Sequence, residues 1–179
     1  GDTIETGAGD DVVLAGDGAD SVVGGEGANL VAGDGALYSR DRAADILDFE
    51  TRDPGTGAGD TIETGGNGDR ILGGDGADLI MAGAGNNAVL GDGGAMQLDP
   101  GTLALRSLAT SAPEGGGNDT IASLGGADIL AGGAGDDSLD AGAGRDAILG
   151  DDGDYTAPSG GSEGILRSAS PTAGGADTV

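Results

Sequence analysis

The chain has 179 residues, of which 42 are glycine and only three are aromatic, and its formal net charge is −25. Such a negative surface repels phosphate and excludes a nucleic-acid partner, and no apolar run approaches the roughly 18 residues that cross a bilayer. Cysteine and histidine are absent, which excludes disulfides, thiol catalysis and zinc-type ligand sets.

A nine-residue period, interrupted by insertions, runs from the first residues to the last. In each unit an Asp or Asn is followed two positions later by an aliphatic residue, and glycines crowd the positions before it, as in GGAGDDSLD. The Asp and Asn positions are Asp2, Asp11, Asp20, Asn29, Asp60, Asp69, Asp78, Asn87, Asp119, Asp128, Asp137, Asp146 and Asp177. The aliphatic positions are Ile4, Val13, Val22, Val31, Ile62, Ile71, Ile80, Val89, Ile121, Leu130, Leu139, Ile148 and Val179. This period predicts a repeat architecture.

Each unit is interpreted as six turn positions followed by a three-residue strand. Glycine permits positive φ in the turn, and the middle residue of the strand points inward while its neighbours point outward. We expect an outer face at the variable flanking residues Glu5, Leu14, Ala32, Arg70 and Ala88. Two units then form one coil, and the coils stack as two parallel sheets with a strand spacing of about 4.8 Å.

Stacking places turns that are 18 residues apart directly above one another. Each Asp then lies beside the backbone carbonyls of its own turn and of the next coil, an oxygen cage that suits Ca²⁺ with its six to eight ligands. Asp and Asn also favour turns simply by bonding to their own backbone. Thirteen Asp or Asn residues, each two positions before an aliphatic residue, favour calcium binding in a chain whose negative charge must be neutralised.

The segments GAGDDVVLA, GGDGADLIM and GGAGDDSLD resemble the glycine-rich nonapeptide repeats of the RTX (repeats-in-toxin) family, GGxGxDxUx. The resemblance implies an all-β fold, a parallel β-roll with Ca²⁺ held between stacked turns. We expect about ten ions from the number of stacked turn pairs. Asn29 and Asn87 replace the acid, and we expect weaker or differently shared sites there. Thr6, Ala15 and Thr64 replace the first glycine.

A second period of 58 or 59 residues groups the units in fours. It predicts blocks 1–58, 59–117 and 118–175 and the start of a fourth at 176–179, with inserts at about 35–57, 93–115 and 152–174. All prolines and aromatic residues fall in these inserts. The segment AMQLDPGTLALRSLA predicts a β-hairpin around Asp99-Pro100-Gly101. DILDFE and GILRSAS hold matching positions, so we expect three related hairpins.

An insert after every fourth unit always leaves from the same edge of the roll. That edge holds Asp2, Asp20, Asp60, Asp78, Asp119, Asp137 and Asp177, and the other holds Asp11, Asn29, Asp69, Asn87, Asp128 and Asp146. Two coils rise about 9.6 Å, close to the spacing of sheets packed face to face, so neighbouring hairpins are expected to pack on one another. Whether they pack within or between chains stays open. At the hairpin bases, Asp34, Asp92 and Asp151 either complete calcium cages or form simple turns.

These features predict a segment that folds when it binds calcium outside the cell, where calcium modules work at about 10⁻⁴–10⁻³ M. The chain begins and ends in mid-unit, so we expect it to come from a longer array, part of a bacterial surface protein, adhesin or extracellular filament. The alternative is the calcium-binding tail of a secreted RTX toxin or hydrolase. An enzyme that acts on glycans through paired carboxylates is disfavoured, because the acids are committed to turns.

Overall fold

The computed structural model describes residues 1–52, 55–111, 116–158, 164–169 and 175–179; the remaining parts of the three predicted inserts lie outside the described residues. Within these ranges the chain forms twenty β-strands and no helix, so none of the described residues belongs to a helix that could cross a membrane. The all-β prediction is confirmed, and the arrangement is consistent with a β-roll.

Successive repeat units alternate between two parallel six-stranded sheets. In spatial order, sheet I contains β1 (Thr3–Glu5), β3 (Ser21–Gly25), β7 (Thr61–Thr64), β9 (Leu79–Met81), β13 (Thr120–Ala122) and β16 (Ser138–Asp140). Sheet II contains β2 (Val12–Leu14), β4 (Leu30–Ala32), β8 (Arg70–Leu72), β10 (Ala88–Leu90), β15 (Ile129–Ala131) and β18 (Ala147–Leu149). Two short segments in the turns, β14 (Gly125–Gly126) and β17 (Ala143–Gly144), also pair in parallel.

The aliphatic residue at the centre of each strand fills the space between sheets I and II. The register places these residues opposite one another, as in the pairing of Val22 with Ile62 and of Val31 with Ile71. Ten of them are buried, and Ile4 and Ile148 pack against the cluster from its ends. The expectation is wrong for Val179, which lies at the end of sheet I and is 74% exposed.

The inserts form a third, antiparallel sheet. In spatial order, sheet III contains β20 (Ile165–Ser168), β19 (Gly153–Thr156), β12 (Leu105–Thr110), β11 (Gly94–Leu98), β6 (Ile46–Thr51) and β5 (Ala36–Asp41). Each hairpin pairs with the next within the same chain, through β6–β11 and β12–β19. The hairpins therefore meet edge to edge and do not stack face to face. Two strands at about 4.8 Å occupy about 9.6 Å, which matches the rise of two coils.

Sheet III packs on the outer face of sheet II and buries a second apolar layer. The residues of this layer are Leu30, Ala32, Leu47, Phe49, Leu72, Ala88, Leu90, Met96, Leu98, Leu108, Ala131 and Leu149. The expected outer face is therefore wrong for Ala32, Arg70 and Ala88, which are buried beneath the hairpins, whereas Glu5 and Leu14 are exposed. The Arg70 guanidinium is satisfied by backbone carbonyls, among them that of Leu103 at 3.1 Å.

Replacing Leu108 by alanine tests the second apolar layer. Leu108 is fully buried between sheets II and III, so Leu108→Ala lowers the free energy of unfolding by about 2–5 kcal/mol, measured by urea denaturation in calcium. Leu124→Ala is the matched control, because this leucine is 74% exposed. Equal small losses for both variants would mean that sheet III is not packed on sheet II.

Candidate metal centre

The acids that precede the strands of sheet I form a continuous ladder, which we call the first edge. Each Oδ1 accepts the backbone N–H of the equivalent residue one coil earlier. The donor–acceptor distances are 2.7 Å for Asp20 N to Asp60 Oδ1, 2.6 Å for Asp60 N to Asp78 Oδ1, 2.8 Å for Asp78 N to Asp119 Oδ1, 2.8 Å for Asp119 N to Asp137 Oδ1 and 3.0 Å for Asp137 N to Asp177 Oδ1. Asp2 N donates to Asp20 Oδ1 in the same way. Backbone pairing thus uses one carboxylate oxygen per turn.

The second carboxylate oxygen on the first edge receives no hydrogen bond from any described residue. These buried Oδ2 atoms belong to Asp20, Asp60, Asp78, Asp119 and Asp137. Buried polar atoms are almost always paired, and a buried charge is costly without a partner. A row of bare carboxylate oxygens therefore fits a row of cations.

Backbone carbonyls converge on the same places as these oxygens. A Cβ on Gly73 would lie 2.3 Å from Asp78 Oδ2 and 2.0 Å from the carbonyl oxygen of Gly91, one coil further on. A Cβ on Gly33 would likewise lie 2.0 Å from Asp60 Oδ2. Two acceptor oxygens that approach one point repel each other, and a cation with oxygen ligands relieves that repulsion. Glycine is therefore required at Gly33 and Gly73, whereas the turn before Asp20 has Ala15 at the equivalent position.

The ligand set must combine side chains with main chain. Among the described residues, no group of three or more acidic side chains is placed to hold a metal ion. Each place on the first edge instead offers carboxylate oxygens from stacked turns together with carbonyl oxygens, the hard donors that Ca²⁺ takes in flexible numbers. The donor chemistry therefore fits calcium.

Burial raises the pKa of four first-edge carboxyls, those of Asp60, Asp78, Asp119 and Asp137, and their carboxylate neighbours raise it further. The pKa of Asp60 rises to about 7, that of Asp78 to about 9 and that of Asp119 to about 8. Asp78 has the carboxylates of both Asp119 and Asp60 beside it. The folded chain therefore favours a proton or a cation at these positions over a bare charge.

The three aspartates at the hairpin bases all accept backbone hydrogen bonds. Asp92 accepts backbone hydrogen bonds on both oxygens, from Gly117 and Ala134, and so joins the end of its hairpin to the next coil. Asp34 accepts one from Asp75 at 2.6 Å and keeps a buried oxygen that no described residue contacts by a hydrogen bond. Asp151 accepts one from Gly175 at 3.2 Å. Burial raises the pKa of Asp34 overall, although the backbone N–H groups of Asp75 and Ala58 beside it lower it, so its surroundings resemble those of Asp92. The part of these three aspartates in a calcium cage stays a prediction.

Sequence reasoning missed two acids near the hairpin bases. Asp75 Oδ2 accepts backbone N–H groups from Gly55, Thr56 and Gly57 and holds the end of the first insert. Asp152 is buried with an Oδ1 that no described residue contacts by a hydrogen bond. Both occupy positions that vary between blocks, so the period gave no signal for them.

The acids and amides that precede the strands of sheet II form a second ladder, which we call the second edge. The donor–acceptor distances are 3.0 Å for Asp11 N to Asn29 Oδ1, 2.8 Å for Asn29 N to Asp69 Oδ1, 2.9 Å for Asp69 N to Asn87 Oδ1, 2.8 Å for Asn87 N to Asp128 Oδ1 and 3.0 Å for Asp128 N to Asp146 Oδ1. Asp11 and Asp69 keep a buried Oδ2 without a hydrogen bond from the described residues, whereas Asp128 Oδ2 lies 2.9 Å from Ser123 Oγ. The structure thus gathers all thirteen predicted positions into two ladders, and their role as calcium ligands stays a prediction.

Replacing Gly73 by alanine tests the first edge sterically. The added methyl group collides with Asp78 Oδ2 and the Gly91 carbonyl, so Gly73→Ala lowers stability in calcium by about 1–3 kcal/mol and raises the calcium concentration at the folding midpoint. Gly101→Ala is the control, because the nearest atom to its added Cβ is 3.5 Å away. A normal calcium midpoint in Gly73→Ala would contradict this geometry.

The raised pKa values predict that acid partly replaces calcium. Their folded values of about 6 for Asp34, 7 for Asp60, 8 for Asp119 and 9 for Asp78 exceed the ordinary 3.8. The folded state therefore binds protons more tightly, and its stability falls as pH rises from the ordinary 3.8, where the unfolded carboxyls ionise, to about 9, where the folded Asp78 does. Calcium-stripped protein should gain β-type circular dichroism between pH 9 and pH 5; a loss of signal towards pH 5 would contradict the prediction.

Comparison with known families agrees with the ladder geometry. A family model described as the RTX calcium-binding nonapeptide repeat matches four times, at residues 1–31, 54–95, 115–130 and 123–157. No curated protein is similar enough in sequence to count as a relative. Together the four matches span more than half of the chain, and the protein therefore belongs to the family of RTX calcium-binding nonapeptide repeats.

Proposed function

We propose that this chain is a structural segment that binds extracellular calcium along both turn edges and thereby folds into a rigid β-roll. The observation that supports it most is the row of buried first-edge Oδ2 atoms, which receive no hydrogen bond from the described residues and lie beside backbone carbonyls. The role is mechanical and not catalytic, since the ladder carboxylates are engaged by backbone N–H groups.

The balance of forces makes folding depend on the ion. A net charge of −25 and 42 glycines oppose compaction through self-repulsion and chain entropy. Calcium neutralises the ladder carboxylates and joins adjacent coils, so its binding free energy becomes folding free energy. The apolar layers between the three sheets add stability once the coils are in register.

The setting we favour is a bacterial surface protein, adhesin or extracellular filament. Sheet III supports it, because its hairpins pair along the array with the same rise as the coils and add a third layer. A segment that only assists secretion does not require a third sheet packed on the roll. The alternative, a calcium-binding tail of a secreted toxin or hydrolase, is favoured by the family itself. A parent protein with dozens of blocks supports the first, and a handful beside a catalytic domain supports the second.

The outer strands of sheet III offer a route to self-association. Within the described residues, β5 and β20 each pair on one side, and Tyr38 and Leu166 on them are partly exposed. Strand edges of this kind add a further strand by backbone pairing. We propose that further hairpins, from the same protein or from a second copy, pair there.

Circular dichroism tests calcium-dependent folding. In chelator at neutral pH the chain should give a random-coil spectrum, and millimolar calcium should produce a β spectrum. Magnesium at the same concentration should not, because it demands near-ideal octahedral geometry and gives up its waters reluctantly. A spectrum that does not respond to calcium would falsify the proposal.

A further inference from the structure

The second edge differs from the first by two buried amides. All seven positions on the first edge are Asp, whereas Asp and Asn alternate over the first five positions of the second edge. Asn29 and Asn87 lie within the ladder and are completely buried. A buried amide brings two N–H donors to a place where a carboxylate brings none.

The donors of Asn29 point at the carbonyls of its own turn. Asn29 Nδ2 lies 3.2 Å from the carbonyl oxygen of Gly25 and 3.2 Å from that of Gly27. Its two N–H groups therefore have two acceptors. The orientation of the amide is fixed, because Asn29 Oδ1 accepts the N–H of Asp11; the flipped amide would set N–H against N–H.

Asn87 repeats this arrangement two coils further on. Its Nδ2 lies 3.3 Å from the Gly85 carbonyl oxygen and 3.0 Å from Ser123 Oγ, while Oδ1 accepts the N–H of Asp69. Ser123 Oγ in turn lies 2.9 Å from Asp128 Oδ2. The Gly83 carbonyl oxygen also lies 3.2 Å from Ser123 Oγ, and the single hydroxyl proton has the shorter distance to Asp128 Oδ2, so the network reaches a carboxylate in the next coil.

The equivalent oxygens in neighbouring coils are held less well, since burial raises the pKa of the Asp69 carboxyl group overall, although the nearby Thr64 hydroxyl lowers it. Asp11 Oδ2 and Asp69 Oδ2 are buried and receive no hydrogen bond from the described residues. A carboxylate beside turn carbonyls needs a cation, whereas an amide beside the same carbonyls satisfies them itself. A cation at that point would face two N–H groups and lose the two carbonyls they occupy.

We infer that the amides of Asn29 and Asn87 stand in for calcium, so that the second edge contains two metal-independent turns while the first edge is calcium-dependent throughout. The inference deepens the proposed function and rests on it. The two edges then differ in how many of their turns require calcium. The turns that contain Asn29 and Asn87 keep their geometry without the ion. At these two coils an uncharged hydrogen-bonded amide fixes the register between neighbouring coils.

Counting the bound ions tests this inference. Native mass spectrometry of the calcium-saturated protein should show about one additional ion for Asn29→Asp, one for Asn87→Asp and two for the double variant, because each new carboxylate exposes its turn carbonyls to a cation. Asn86→Asp is the matched control. It adds the same charge in the same turn at an exposed position and should add no ion. An unchanged count in both ladder variants overturns the inference, since calcium would then already occupy these turns.

The wild-type chain supplies a second measurement if a variant fails to fold. In the calcium-loaded protein, the side-chain NH₂ protons of Asn29 and Asn87 should exchange slowly with solvent, unlike those of the exposed Asn67 and Asn118. Rapid exchange at Asn29 and Asn87 overturns the inference. Failure of the proposed function looks different, because the wild-type chain would then bind no calcium while its amide exchange can still be read.

Discussion

One hydrogen bond, repeated at every turn, governs this structure: an Asp or Asn Oδ1 that accepts the backbone N–H of the equivalent residue one coil away. It fixes the register of the parallel sheets, as in the Asp60–Asp78 contact on the first edge and the Asn29–Asp69 contact on the second. It also turns the other side-chain atom of each residue towards the turn carbonyls. The chemistry of that second atom, carboxylate oxygen or amide nitrogen, then decides whether the turn needs a cation.

Much of the fold follows from the period. The nine-residue spacing predicts the alternation of strands between two sheets and the burial of residues such as Ile62 and Val89, since a three-residue strand has one inward side chain. The second apolar layer has a signal in the sequence, because the residue after the central aliphatic is always leucine or alanine in sheet II, as in Leu72 and Leu90, whereas sheet I also has acids there, such as Glu63. Treating all flanking residues as one outer face hides this signal. The edge-to-edge pairing of neighbouring hairpins was not predicted from the sequence, because it depends on the match between the width of a hairpin and the rise of two coils.

The candidate site was predictable in outline and not in detail. A constant offset identifies the thirteen ladder positions, but it does not reveal that Asp34 and Asp92 accept backbone N–H groups of the next coil. The positions of those backbone donors follow from the stacking of the coils, which sequence spacing does not encode. The replacement of acid by amide at Asn29 and Asn87 is visible in the sequence, whereas its consequence appears only in the distances to the turn carbonyls.

The most direct test is the anomalous scattering of calcium in crystals of the calcium-loaded chain. The account predicts ions along the first edge, each about 2.3–2.6 Å from Oδ2 of an aspartate such as Asp60, Asp78 or Asp119 and bonded also to carbonyl oxygens of an adjacent coil. If these carboxylate oxygens instead face solvent or a backbone donor, with no ion between the coils, the central claim is contradicted.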